Sequence, residues 1–238
     1  YKKRIVDRLR KLEVPVFDDS RRSLKYEALF IYMDSLLKCI SSGFTSDALF
    51  SYLKSGLSGV SIEKTAILEK YALIWKISGS KWSEDFTMHP KGFGKEFTEK
   101  DSERLARINE VRRNAVVPLL KLKKDCKDKT GLEISAVIYD FLVSQHIPDR
   151  LYDLYSALNE EGFSVEANRQ SVSWDVLMSI FDSMSKIYSE RVVSLAEWVD
   201  KFNLLVDSGD VGEIPQGLDE VKIGSADRIR TDKLKVVF

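Results

Sequence analysis

Along most of the chain, apolar residues recur three and four positions apart, the spacing that gathers them on one side of a helix. Ile5, Leu9 and Leu12 predict a first helix over residues 2–12. "VPVF" at 14–17 then reads as a short strand and "DDSRRS" as a polar connection. From Tyr26 the stripe becomes Ala28, Leu29, Tyr32, Met33, Leu36 and Leu37, the pattern of a buried helix face. "TSDALFSYLKSG" has Thr45 or Ser46 as its N-cap and Gly56 as its stop, and "SIEKTAILEKYALIWKI" opens at Ser61. The period lapses over 78–97, "SGSKWSEDFTMHPKGFGKEF". Linkers seldom carry a Trp and three Phe, so this stretch is expected to be an ordered insertion.

Thr98 starts the next helix, which runs towards Asp128 and should be kinked or split at Pro118. "EISAVIYDFLVSQH" is strongly apolar, and Pro148 with Asp149 restarts a helix as an N1 proline. From Gly162 to about Asp207 there is no breaker, and Val172, Val176, Ile180, Met184, Ile187, Val192, Leu195, Trp198, Phe202 and Leu205 predict one long helix or two joined by a short break. The chain closes on "IPQGLDEVKIGSADRIRTDKLKVVF", where turn chemistry at Pro215 and Gly217 precedes two β-type runs, "EVKIG" and "KVVF". A strand needs neighbours to pair with. The expectation is therefore a mainly α chain: a helical block inserted into a sheet-containing domain, with a small α/β remnant formed by the two chain ends. An unfinished last strand and the lack of an initiator methionine are what an excised piece of a longer protein would show.

Composition changes this picture little. The 238 residues are 44% hydrophobic and 31% charged, enough to bury a real core. The 37 basic and 37 acidic residues balance, so no global field draws the chain to nucleic acid or membrane. Locally the balance tips, with nine Lys/Arg against five Asp/Glu over 1–30 and twelve against seven over 91–130. Such runs are solvated helix faces or phosphate-facing ones. Cys39 and Cys126 form no CxxC pair and read as free thiols of a reducing, cytoplasmic compartment.

Catalytic chemistry is sparse. No G-x-x-x-x-G-K-[ST] phosphate loop occurs. His89 stands in the irregular stretch, and His146 is expected as a helix C-terminal residue favoured by the dipole. The pairs Asp18–Asp19 and Glu160–Glu161 read as solvated turns before they read as metal or acid/base sites. Trp174 and Trp198 fit core stripes and Trp75 ends one, which leaves Trp82 in its basic loop as the candidate for base stacking. The most suggestive stretch is "GSADRIRTDK". Ser225, Arg228, Arg230 and Thr231 are residue types that hold a DNA backbone without reading its sequence. The alternative is a hairpin in which Asp227 and Asp232 pair with those arginines. The basic run Lys121, Lys123, Lys124 to Lys129 is a second candidate contact. No catalytic, cofactor-binding or metal-binding residue is assigned.

The same terminal stretch resembles the AddB/RexB family, the B-subunits of ATP-dependent helicase/nucleases, whose segment has the general form P-x-x-LDxVxVGxxDRxRxxxxKxVFxLG. The matching residues are Pro215, Leu218, Asp219, Val221, Gly224, Asp227, Arg228, Arg230, Lys235, Val237 and Phe238. "EVPVFDDSRRSLKYEALFIYMDSLL", "ALFSYLKSGL" and "LEKYALIWKISGSKW" are similar to the family's opening order of elements, while 98–207 matches as a helical block. The resemblance implies a UvrD-like superfamily 1 helicase fold, in which a RecA-like domain 2A is interrupted by a helical domain 2B. Residues 1–25 would be the departing piece of 2A, 26–212 the 2B-like insertion, and 213–238 the returning strands with a motif-V-like segment. "GSADRIRTDKLK" stands where active helicases carry H-S-x-K-G-L-E, which implies a degenerate, non-translocating fold. The family's ATP, magnesium and iron–sulfur chemistry would lie outside these residues.

The resemblance implies a role in double-strand-break processing and recombinational repair, with DNA and an AddA-type subunit as partners. The competing reading is a free-standing helical scaffold for protein–protein interaction without a nucleic-acid role. A small enzyme working through His89 and nearby acids is a third.

Overall fold

Four hydroxyl side chains begin helices by accepting from a backbone N–H three residues on: Ser61, Thr98, Thr130 and Ser194. At Thr98 and Thr130 the acid three residues later, Asp101 or Glu133, returns the bond to the cap's own N–H and closes a capping box. The computed structural model describes residues 2–12, 14, 16–18, 22–188, 190–211 and 221–223. In chain order they form α1 (Lys2–Lys11), β1 (Val16–Asp18), β2 (Arg22–Ser23), α2 (Ala28–Ser41), α3 (Ser46–Leu53) and α4 (Ile62–Trp75). There follow α5 (Glu99–Asp125), α6 (Gly131–Ser144), α7 (Ile147–Glu160), α8 (Ser164–Ile187), α9 (Leu195–Ser208), β3 (Asp210–Val211) and β4 (Val221–Ile223). The chain is mainly α.

α2 runs through the middle of the core and packs on α3, α5, α8 and α9. Leu29, Tyr32, Met33, Leu36, Leu37 and Ile40, largely the residues of its sequence stripe, are fully or almost fully buried. A second centre forms around Trp198, which stacks on Phe202 at 5.3 Å and 10° and meets Phe181 at 5.9 Å. Its indole N–H donates to Gly131 O and Ser135 Oγ, each at 3.3 Å. Gly131 must be glycine, because a Cβ there would lie 2.2 Å from Tyr188 Cβ.

Segments from either side of the helical block meet twice. β1 and β4 pair in parallel, with Val16 opposite Val221, Phe17 opposite Lys222 and Asp18 opposite Ile223. β2 and β3 pair antiparallel, with Arg22 opposite Val211 and Ser23 opposite Asp210. The strand expected at "VPVF" thus forms at its C-terminal side, and "EVKIG" supplies β4. "KVVF" lies outside the described residues.

Two expectations need correction, and one alternative is decided. Pro118 does not split α5, which runs unbroken through it. Val116, Leu119 and Leu122 are buried on both sides of the proline, and their packing outweighs the one hydrogen bond it cannot make. The long run after Gly162 forms two helices, α8 and α9, joined by a short break, the second of the two outcomes expected. Around the break Val193 N–H donates to Lys129 O at 3.1 Å and Gly131 N–H to Arg191 O at 3.2 Å. His146 is no helix-final residue but the left-handed N-cap of α7, with Nδ1 3.0 Å from Asp149 Oδ2.

Candidate nucleic-acid interface

Of the seven residues expected to touch phosphate, Ser225, Arg228, Arg230 and Thr231 lie outside the described residues, as do Asp227 and Asp232. Lys121, Lys123 and Lys124 belong to the last turns of α5, where cations complement the helix dipole. All three are exposed, but they do not form one cradle. Lys121 and Lys124, three apart, share a face, while Lys123 points nearly opposite. Lys121 Nζ is 2.5 Å from Asp125 Oδ2, the neighbour one turn on. Lys123 Nζ sits 5.4 Å over the Phe44 ring, at the turn between α2 and α3. Lys129 pairs with Glu133 at 3.3 Å. Among the described residues no carboxylate pairs with Lys123 or Lys124, so these two are the cations open to a phosphate.

The stretch 78–97 is an ordered insertion, clamped from two sides. From α5, Asn109 accepts from Phe86 N–H at 2.7 Å and donates to Phe86 O at 2.8 Å. Arg112, also buried, donates to Trp82 O at 2.9 Å, bonds Asp85 through its other nitrogen, and lies 5.6 Å from the Phe86 ring centre. From α4, the Tyr71 hydroxyl donates to Met88 O at 3.0 Å and accepts from Met88 N–H, and Trp75 Nε1 donates to His89 O at 3.0 Å. Trp82 itself is fully buried between Phe50 and Phe86, each 5.9 Å away. It is therefore a core residue with no face to offer a base. Periodicity could not reveal this, because the loop buries Trp82 through tertiary contacts with α3 and α5 rather than along a helix stripe.

His89 is buried beside Asp101 at 3.4 Å. Its Nδ1 accepts from Lys91 N–H at 3.0 Å, so the neutral ring carries its proton on Nε2, towards Asp101. Lys91 Nζ holds the other Asp101 oxygen at 2.7 Å, and the Thr98 hydroxyl donates at 2.6 Å. The bonds from Lys91 and Thr98 keep this carboxyl well below the usual carboxylate range. The Thr98 cap, the loop lysine and the histidine thus lock the loop's exit to the start of α5. Phe97 closes the ring off edge-on at 4.7 Å. Burial pushes the Cys39 thiol up to about 12 and the Cys126 thiol up to about 11, so neither is a ready nucleophile. Among the described residues no three His, Cys, Asp or Glu side chains group as metal ligands, and no helix is long and apolar enough to cross a membrane.

No family model matches the chain. Curated proteins named as the B-subunit of ATP-dependent helicase/deoxyribonuclease do. That of Clostridium botulinum (strain Loch Maree / Type A3) is 29% identical over 228 residues, 94% of this chain and 20% of that protein. That of Clostridium perfringens (strain ATCC 13124) is 29% identical over 235 residues, 95% and 20% respectively. The Caldanaerobacter subterraneus subsp. tengcongensis protein is 27% identical over 228 residues, again 94% and 20%. The resemblance to the AddB/RexB family is borne out over nearly the whole chain. It runs through the 98–207 block, where the sequence motifs matched only as helix. The chain spans about a fifth of the length of the curated relatives it matches.

Proposed function

We propose that this chain is a non-catalytic segment of a helicase–exonuclease subunit of double-strand-break processing and recombinational repair, working in the cytoplasm and contacting DNA or an AddA-type partner subunit. The observation that carries the reading is the similarity to helicase/deoxyribonuclease B-subunits along 94% of the chain. The pairing of β1 with β4 and of β2 with β3 supports a division into a departing piece (1–25), a 2B-like helical insertion (26–212) and returning strands (213–238), because both ends of the block leave from one place. In this reading ATP, magnesium and any iron–sulfur cluster act elsewhere in the longer protein. Arg228, Arg230, Ser225 and Thr231 hold phosphates with Lys123 and Lys124 assisting, and the binding carries no sequence information.

The test compares wild type with Arg228→Ala/Arg230→Ala in fluorescence anisotropy titrations of a labelled oligonucleotide, with a melting curve for each protein. Contact predicts weaker binding with an unchanged melt, and a scrambled oligonucleotide binding equally well. Unchanged binding with a lowered melting temperature would make the segment an ion-paired hairpin and sink its DNA role.

A further inference from the structure

Three of the four most exposed large apolar side chains among the described residues lie on α4 or on the loop laid against it. Ile62 is 81% exposed, Leu73 80% and Phe93 76%. α4 carries apolar side chains on opposite faces: Leu68, Tyr71 and Ala72 face the core, while Ile62 and Leu73 face outward. Clustered exposed apolar surface marks an interaction site. Helical spacing places Ile62, Ala66 and Leu73 on one side of α4, flanked by Lys70 on one edge and by Glu69, which pairs with Lys54 at 2.6 Å, on the other.

Next to this stripe, between α4 and α5, opens a hollow of about 200 Å³. Tyr71, Pro90 and Ile108 give it an apolar floor, and Lys70 and Arg104 are its charged members, with no acid among the lining residues. Among the described residues no carboxylate pairs with either cation. At the far end of α4 Phe93 is propped on Trp75, ring centres 4.2 Å apart.

We propose that this face docks a protein segment carrying a large apolar side chain flanked by carboxylates. The apolar side chain fills the hollow as an anchor, and the carboxylates pair with Lys70 and with the Arg104 guanidinium, whose fork suits them. Protein is favoured over nucleic acid because the two most exposed side chains of the face, Ile62 and Leu73, are aliphatic and give a base nothing to stack on; of the three, Phe93 alone carries a ring. This deepens the partner half of the function proposed above and is independent of its DNA half.

The probe is a fluorescein-labelled octapeptide, Phe-Leu flanked on each side by three glutamates, titrated against the whole chain by fluorescence polarisation. Saturable binding is expected, weakened about tenfold or more by Leu73→Asp and by Lys70→Glu/Arg104→Glu. Because Ile62 and Leu73 are exposed, Leu73→Asp and Ile62→Asp should melt as wild type does, and agreement between them guards against a folding artefact. Lys121→Ala/Lys123→Ala/Lys124→Ala should leave peptide binding untouched, which separates failure here from failure of the DNA reading. Absence of saturable binding overturns the proposal. So does equal binding of a peptide with Ser-Ser in place of Phe-Leu. Loss of oligothymidylate binding in the same variants, with peptide binding unchanged, would make the face a nucleic-acid surface instead.

Discussion

Asp101 closes a capping box, holds Lys91 and faces His89, so a single carboxylate fastens a loop to a helix. Its folded-state pKa is depressed, so its contribution is present above the unfolded aspartate value of about 4 and is lost as the pH falls below it. Asp101→Asn should lower the melting temperature at pH 7 and flatten the fall in stability below about pH 4; an acid limb as steep as wild type would refute the assignment. Thr98→Ala removes the cap and should cost about 1 kcal/mol in urea unfolding. Asn109→Ala strands the buried N–H and C=O of Phe86 and should cost about 1–3 kcal/mol, measured the same way. The Asp101 box was half legible, since Thr98 was expected to start its helix. The pairing of Asn109 with Phe86 was not, because nothing local says which polar residue of a long amphipathic helix meets a loop 23 residues away.

At the scale of elements, period-3.6 patterning located the helices well, and what it left open has physical causes. Pro118 carries a strong local rule, yet α5 is held by buried side chains on both sides of it. The break between α8 and α9, one of the two outcomes the pattern allowed, has no glycine or proline to place it; it is made by Tyr188 lying on Gly131 and by bonds between 191–193 and 129–131. Gly131→Ala should therefore destabilise the junction by about 1–3 kcal/mol, read in thermal unfolding, as overpacking of a closed contact does. A neutral result would mean that the α8–α9 connection can move aside.

For the whole molecule, the antiparallel and parallel pairings tie the segment before the helical block to the segment after it. Phe17→Cys/Lys222→Cys, at paired positions, should cross-link readily under mild oxidation, without competition from Cys39 or Cys126, whose thiols are buried and raised. That segments on either side of the helical block pair was legible from β-type runs with no local partner. The side chains proposed to face DNA, Ser225, Arg228, Arg230 and Thr231, were named from their chemistry in the sequence and lie outside the described residues. The central claim, a DNA-contacting segment without catalysis, is tested most directly by the salt dependence of binding to labelled duplex. A few phosphate contacts predict weak affinity, roughly 10⁻⁴ M or weaker at physiological salt, with log K falling by about 0.9 per contact for each tenfold rise in salt. Binding that does not change with salt, or that is undetectable even at low salt, would contradict it.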